Sequence, residues 1–198
     1  MIQGFAYFPA IVYRDERPDL AEKVLPICTQ YLDQVRKPDW PMCQSAHLGH
    51  DPAFREVADY LLLSVVDLLR GQGYAVDKYD FYLSGLWAQE VSQGAGTNVH
   101  VHKNSQMCGW FFLETPQGGA YPIYHDTRMN KSIIELDFVQ DEDVSNATNI
   151  IHFNNMLSGT VMFANSWMQH QLTGSNADTP TRCIHFIVSH KERPCSMF

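Results

Sequence analysis

The chain has 198 residues, 45% of them hydrophobic and 18% charged, enough for one well-buried core. A formal charge of -8 argues against binding a phosphate backbone, a contact driven by clustered Lys and Arg. Five widely spaced cysteines with no CxxC pair fit a reducing cytoplasm, and neither a signal-like start nor a window of roughly 18 apolar residues points to export or a membrane anchor.

In chain order, a short apolar start leads to Leu20, Val24, Ile27, Tyr31 and Val35, whose spacing predicts an amphipathic helix that Pro26 kinks or divides. A second helix is better marked. Asp51 is its cap, Pro52 its first residue, the stripe from Phe54 to Leu69 its apolar face and Gly71 its terminator. Burial against a sheet or a homodimer contact would each account for that stripe. Beyond Tyr74 the texture changes to short β-branched and aromatic runs, predicting strands over 79–90, 97–103, 107–114, 120–125, 149–153, 159–164, 169–173 and 181–189. Pro116-Gln117-Gly118-Gly119 reads as a hairpin turn. Residues 126–148, weakly periodic and acidic, read as an insertion or lid that favours a basic or neutral substrate. The pattern is mainly β with flanking α-helices, a jelly roll carrying a helical layer on one outer face.

The strongest chemical signal is Thr97-Asn98-Val99-His100-Val101-His102. On an extended strand residues i and i+2 share a face, so His100 and His102 point the same way, roughly 6–7 Å apart at the backbone, as two ligands of one metal would. A face that only packs has little use for adjacent imidazoles, because each buried ring nitrogen needs a partner. His170, after the apolar run 159–164, is the expected third ligand. Arg182 opens another strand, where an interior guanidinium requires a carboxylate, Glu114 being one candidate. His185, alternating to the other face from Arg182, and His152 are read as packing or surface residues. His47 and His50 are read as solvated loop residues, His125 with Asp126 as a turn or the rim of a substrate mouth, and Trp87, Trp110 and Trp167 as core.

The HxH at 100–102, the strand Cys108-Gly109-Trp110-Phe111-Phe112, the run Phe163-x-x-Ser166-Trp167-x-x-His170 and Arg182 at a strand start resemble the 2-oxoglutarate- and Fe(II)-dependent oxygenase superfamily. The likeness covers roughly residues 79–190 and is greatest to the small bacterial and phage branch. It implies a cupin-like double-stranded β-helix in one domain over 1–198, with a helical layer at about 18–72 and the jelly-roll core at about 79–190. It also implies His100 and His170 as Fe(II) ligands, Arg182 as the anchor of 2-oxoglutarate, O2 as oxidant and ascorbate as an auxiliary reductant. The implied reaction couples decarboxylation to hydroxylation of a small molecule or peptide.

Two positions depart from the superfamily pattern. His102 stands where most members carry Asp or Glu, so the third ligand is either His102 or a carboxylate such as Asp126. Ile184 stands where many relatives carry a hydroxyl residue, which makes Tyr124 a candidate to hold the cosubstrate alongside Arg182. An all-His set also suits a three-His cupin-type enzyme that uses no 2-oxoglutarate, or a metal-binding module without turnover.

Overall fold

The computed structural model describes residues 9–128 and 149–193, together with Gln3. Among the described residues, nine strands form two antiparallel sheets. The larger has the order β1-β7-β4-β9-β3-β2 and the smaller β6-β5-β8. These are β1 (Val12–Glu16), β2 (Met42–Gln44), β3 (Tyr79–Val91), β4 (Met107–Glu114), β5 (Pro122–His125), β6 (Ile150–His152), β7 (Thr160–Asn165), β8 (His170–Leu172) and β9 (Thr181–Glu192). Two helices, α1 (Pro18–Val35) and α2 (Arg55–Gly71), pack on the outer face of the larger sheet. This is the double-stranded β-helix with a helical layer that the sequence leads one to expect.

Alternation along the strands of the larger sheet gives it two different faces. Leu86, Ala88, Phe111, Leu113, Ile184, Phe186 and Val188 meet the helices, against Leu20, Val24, Cys28, Leu61 and Val65. Trp110, Phe112, Met162, Ala164 and Cys183 turn inward, toward Tyr124 and Leu172 of the smaller sheet. At Gly109 an added Cβ would lie 1.8 Å from the Met162 carbonyl oxygen, so only glycine lets β7 approach β4 this closely.

Several local expectations need correcting. Helix α1 runs through Pro26 undivided, and its buried seam is Leu20, Ala21, Val24, Cys28 and Leu32 rather than the stripe through Ile27, Tyr31 and Val35. The Asp51 carboxylate accepts from the Ala53 N–H as a cap should, but the first turn (Pro52–Phe54) is 3-10 and α2 proper starts at Arg55. Gly71 closes the helix while Gly73, at φ 94°, takes the left-handed conformation. The Phe54–Leu69 seam is buried against the sheet, with Val57, Leu61 and Val65 fully covered. Gly119 N–H bonds the Pro116 carbonyl as in a tight turn, yet the turn carries the chain from β4 in one sheet to β5 in the other, so it is not a hairpin. Strands β1 and β2 were not foreseen, because β1 is a charged edge strand and β2 has only three residues. Of the 126–148 insertion, residues 129–148 lie outside the described residues, as does Cys195.

Candidate metal centre

Residues 97–103 do not form a regular strand. The segment runs along the free edge of β8 and pairs with it through Thr97 N–H to Leu172 and a reciprocal bridge between His100 and His170, while His102 N–H reaches the Ser166 carbonyl in the turn between β7 and β8. The Thr97 and His100 contacts are one residue out of register with those on β8, which breaks the ladder. Val99 and Val101 face solvent at 46% and 41% exposure, so the intervening side chains gain nothing from a second sheet.

This pinned edge achieves what the strand was expected to achieve. Ligand atoms of His100, His102 and His170 lie within 4.8 Å of one another. Their ring centroids are 5.0 Å apart for His100 and His102, 4.5 Å for His100 and His170, and 5.1 Å for His102 and His170. His170 is fully buried, and the other two are half-buried.

The hydrogen bonds set the tautomers. His100 Nδ1 lies 2.7 Å from the Asn98 carbonyl, and His170 Nδ1 lies 2.7 Å from the Met168 carbonyl. A carbonyl can only accept, so Nδ1 carries the proton on both rings and Nε2 keeps its lone pair, the arrangement that orients metal-binding imidazoles. His102 Nε2 is buried with no hydrogen-bond partner. Three inward imidazoles, two with locked tautomers and one with an orphaned nitrogen, form a donor set that fits a divalent transition metal. Asp126, the alternative third ligand, instead holds Arg128 through both carboxylate oxygens and is not part of the converging group.

Burial holds the His102, His170 and His185 imidazoles neutral. His102 is pushed down to about 4 by burial and then by the nearby His100, while His170 is pushed to about 4 by burial against the opposing pull of the Met168 carbonyl. His185 is driven well below the ordinary range, again chiefly by burial. Unfolding returns these groups to an ordinary value near 6.5, so between about 4 and 6.5 the unfolded chain binds more protons and stability rises with pH. For the metal-free protein, the urea midpoint should therefore be flat above pH 7 and fall steadily between pH 6.5 and 5. A midpoint constant across that interval would contradict neutral burial.

Around the three rings, Trp110 lies edge-on to His170 at 5.3 Å, Tyr124 is 6.2 Å from His170, and Cys108 Sγ is 3.8 Å from His170 Nε2. Tyr124 is 2% exposed and its hydroxyl has no partner. Trp110 is buried as expected, whereas Trp167 is 51% exposed and not core. His47 and His50 lie together on the surface, with His47 edge-on to Trp87.

Arg182 is where the structure departs most from expectation. It shares its face of β9 with Ile184, Phe186 and Val188, the face that meets the helices rather than the imidazoles. Its Nε donates to Glu90 at 2.8 Å and its Nη1 to Glu114 at 2.5 Å, and Arg36, the residue that caps the C-terminus of α1, grips the same Glu90. The guanidinium thus belongs to an ion network beneath α1, satisfied by Glu114 and also by Glu90, and does not face the metal centre. Conversely, His185, expected to be a packing or surface residue, lies against the centre, its ring 5.0 Å from that of His102. Alternation was the available signal, since putting Arg182 outward puts His185 inward.

The family model described as "Putative 2OG-Fe(II) oxygenase" matches residues 85–186. Among solved structures, the chain is similar to the non-heme alpha ketoglutarate dependent epimerase SnoN from nogalamycin biosynthesis, at 13% identity over 95% of this chain and 80% of that one, with a TM-score of 0.64. It is similar to HygX from Streptomyces hygroscopicus with nickel and 2-oxoglutarate bound, at 13% identity over 91% and 83%, with a TM-score of 0.62. A prolyl-4-hydroxylase from Pseudomonas putida gives 10% identity over 93% and 94%, with a TM-score of 0.60. At such identities the likeness establishes the fold. No curated protein matches the sequence.

Proposed function

The chain belongs to the 2OG-Fe(II) oxygenase family, and from that membership we propose that it couples decarboxylation of 2-oxoglutarate to hydroxylation of a small-molecule or peptide substrate, with His100, His102 and His170 holding Fe(II). The convergence of the three imidazole nitrogens within 4.8 Å carries this reading. When bound, Fe(II) and 2-oxoglutarate would supply the electrons that reduce O2 to the oxidant, with ascorbate as an auxiliary reductant.

The residues supply position and environment. The bridge between His100 and His170 fixes two donors relative to each other, and the Asn98 and Met168 carbonyls hold their rings in the metal-binding tautomer. Burial keeps His102 and His170 neutral at physiological pH, so no proton has to leave before they donate a lone pair. Trp110, Met162, Ala164 and Leu172 wall the interior against water. The buried, unpartnered Tyr124 hydroxyl is a donor suited to a cosubstrate carboxylate. The whole chain acts as one domain in this reading. Four buried free cysteines suit a reducing cytoplasm, and among the described residues no helix is long and apolar enough to cross a membrane.

One observation favours a second reading. With Arg182 engaged by two glutamates, the centre resembles a three-His metal site that does without 2-oxoglutarate. A single assay separates the two. Protein loaded with Fe(II) under air should convert 2-oxoglutarate to succinate, slowly even without substrate, and an absence of succinate with metal bound would favour the second reading.

A further inference from the structure

His185 sits on the inward face of β9 between two indoles. Trp87 on β3 and Trp110 on β4 are its direct cross-strand neighbours, and both stack on it, at 5.6 Å and 23° and at 5.5 Å and 28°. The ring therefore has no freedom to choose its plane. It is 6% exposed, and its Nε2 is buried without a partner. A neutral imidazole always offers one N–H donor, and a buried donor with nothing to bond is costly unless a ligand supplies the acceptor. The Tyr124 hydroxyl, also buried without a partner, adjoins the same indole, Trp110 lying 6.4 Å from Tyr124.

Charge balance indicates what the acceptor is. A centre with one carboxylate ligand leaves a divalent ion with one net positive charge, and a dianionic cosubstrate then calls for a further cation. Three neutral imidazoles leave both positive charges on the metal, and a dicarboxylate balances them with no guanidinium. This chain combines His102 at the third ligand position with an Arg182 turned toward the helices, and the two departures compensate each other. We infer that His185 anchors the far carboxylate of the dicarboxylic cosubstrate by donating from Nε2, in the place where Arg182 was expected. The inference rests on the oxygenase reading above and names a binding residue for it.

The test compares two 2-oxo acids that differ only at the far end, 2-oxoglutarate and 2-oxopentanoate, titrated without O2 into Fe(II)-loaded protein. In the unaltered protein 2-oxoglutarate should bind the tighter. In His185→Phe its affinity should fall about 10- to 100-fold while that of 2-oxopentanoate stays within about threefold. Equal losses for both acids, or no loss for either, would overturn the assignment while leaving the oxygenase reading intact. Failure of the unaltered protein to bind 2-oxoglutarate at all would overturn both. A measurement on the unaltered protein keeps the test open if the Phe variant does not fold. With Zn(II) as a diamagnetic metal, the His185 Nε2–H proton, assigned by its loss in His185→Gln, should shift and become protected from exchange with 2-oxoglutarate but not with 2-oxopentanoate. A resonance indifferent to both acids would refute the inference.

Discussion

Replacing His170 with alanine is expected to abolish stoichiometric Fe(II) binding and, with it, succinate formation from 2-oxoglutarate. Of the three imidazoles His170 is the one fully buried, and its ring touches both of the others together with Trp110 and Tyr124. Its Nδ1 is tied to the Met168 carbonyl, so Nε2 is held inward with little entropy left to lose on binding metal. Loss of an outer-shell partner alone typically weakens a metal site by 10–100-fold, so loss of the ligand itself should cost at least about 100-fold in affinity. Metal content after dialysis and succinate yield on the same samples provide the check. Because the deletion leaves a gap beside Cys108 and Trp110, His170→Gln serves as the fuller-volume companion and should lose the metal as well. If either variant retains one Fe(II) per chain and turns over at the rate of the unaltered protein, the site lies elsewhere.

The elements legible in the sequence are those whose signal is local. Asp51-Pro52 and the long stripe after it announce α2 because capping and 3.6-residue periodicity operate within one element. Strands β3, β4, β7 and β9 are long, buried runs of aromatic and β-branched residues, and no competing period obscures them. The imidazole triad was legible for a similar reason, since two of its members are two residues apart in an extended segment and the third heads a strand. That the segment is a bulged edge rather than a full strand made no difference, because one reciprocal bridge at His100 is enough to set its direction. What could not be read locally is facing. Whether Arg182 or His185 looks inward depends on the parity of β9 against its neighbours, and bulges at Leu83/Gly85 and Phe112/Glu114 shift that parity in ways no residue of β9 encodes. Glu90 is the most telling omission. A carboxylate with a side chain 4% exposed, cross-strand from Arg182, could claim the guanidinium only once the β3–β9 register was known.

That network yields the second large effect. Arg182→Ala should destabilise the fold by about 2–4 kcal/mol, because it strands part of a buried carboxylate rather than because it removes a cosubstrate contact. Burial alone would raise the pKa of Glu90, yet hydrogen bonds from Arg36 and Arg182 outweigh it and hold the carboxyl below its ordinary range. A lowered carboxylate contributes stability that is present above its unfolded value and lost as pH falls through the folded one. Without Arg182 that contribution shrinks, so the variant's deficit should be largest at neutral pH and narrow as acid protonates Glu90 in both proteins. Glu114 is 40% exposed and can turn to water, so its loss of a partner adds little. Arg36 remains on Glu90 at 2.6–2.7 Å and also contacts Asp33, which is why the figure stays below that for leaving a buried charge wholly unpaired. For a chain of 198 residues this amounts to a melting point lower by roughly 5–15 °C. Measured well below that melting point, anaerobic affinity for 2-oxoglutarate should stay within about threefold of the unaltered protein, since the guanidinium lies on the far side of β9 from the imidazoles. A variant that melts normally but binds 2-oxoglutarate 100-fold more weakly would return Arg182 to the cosubstrate and remove the charge argument for His185.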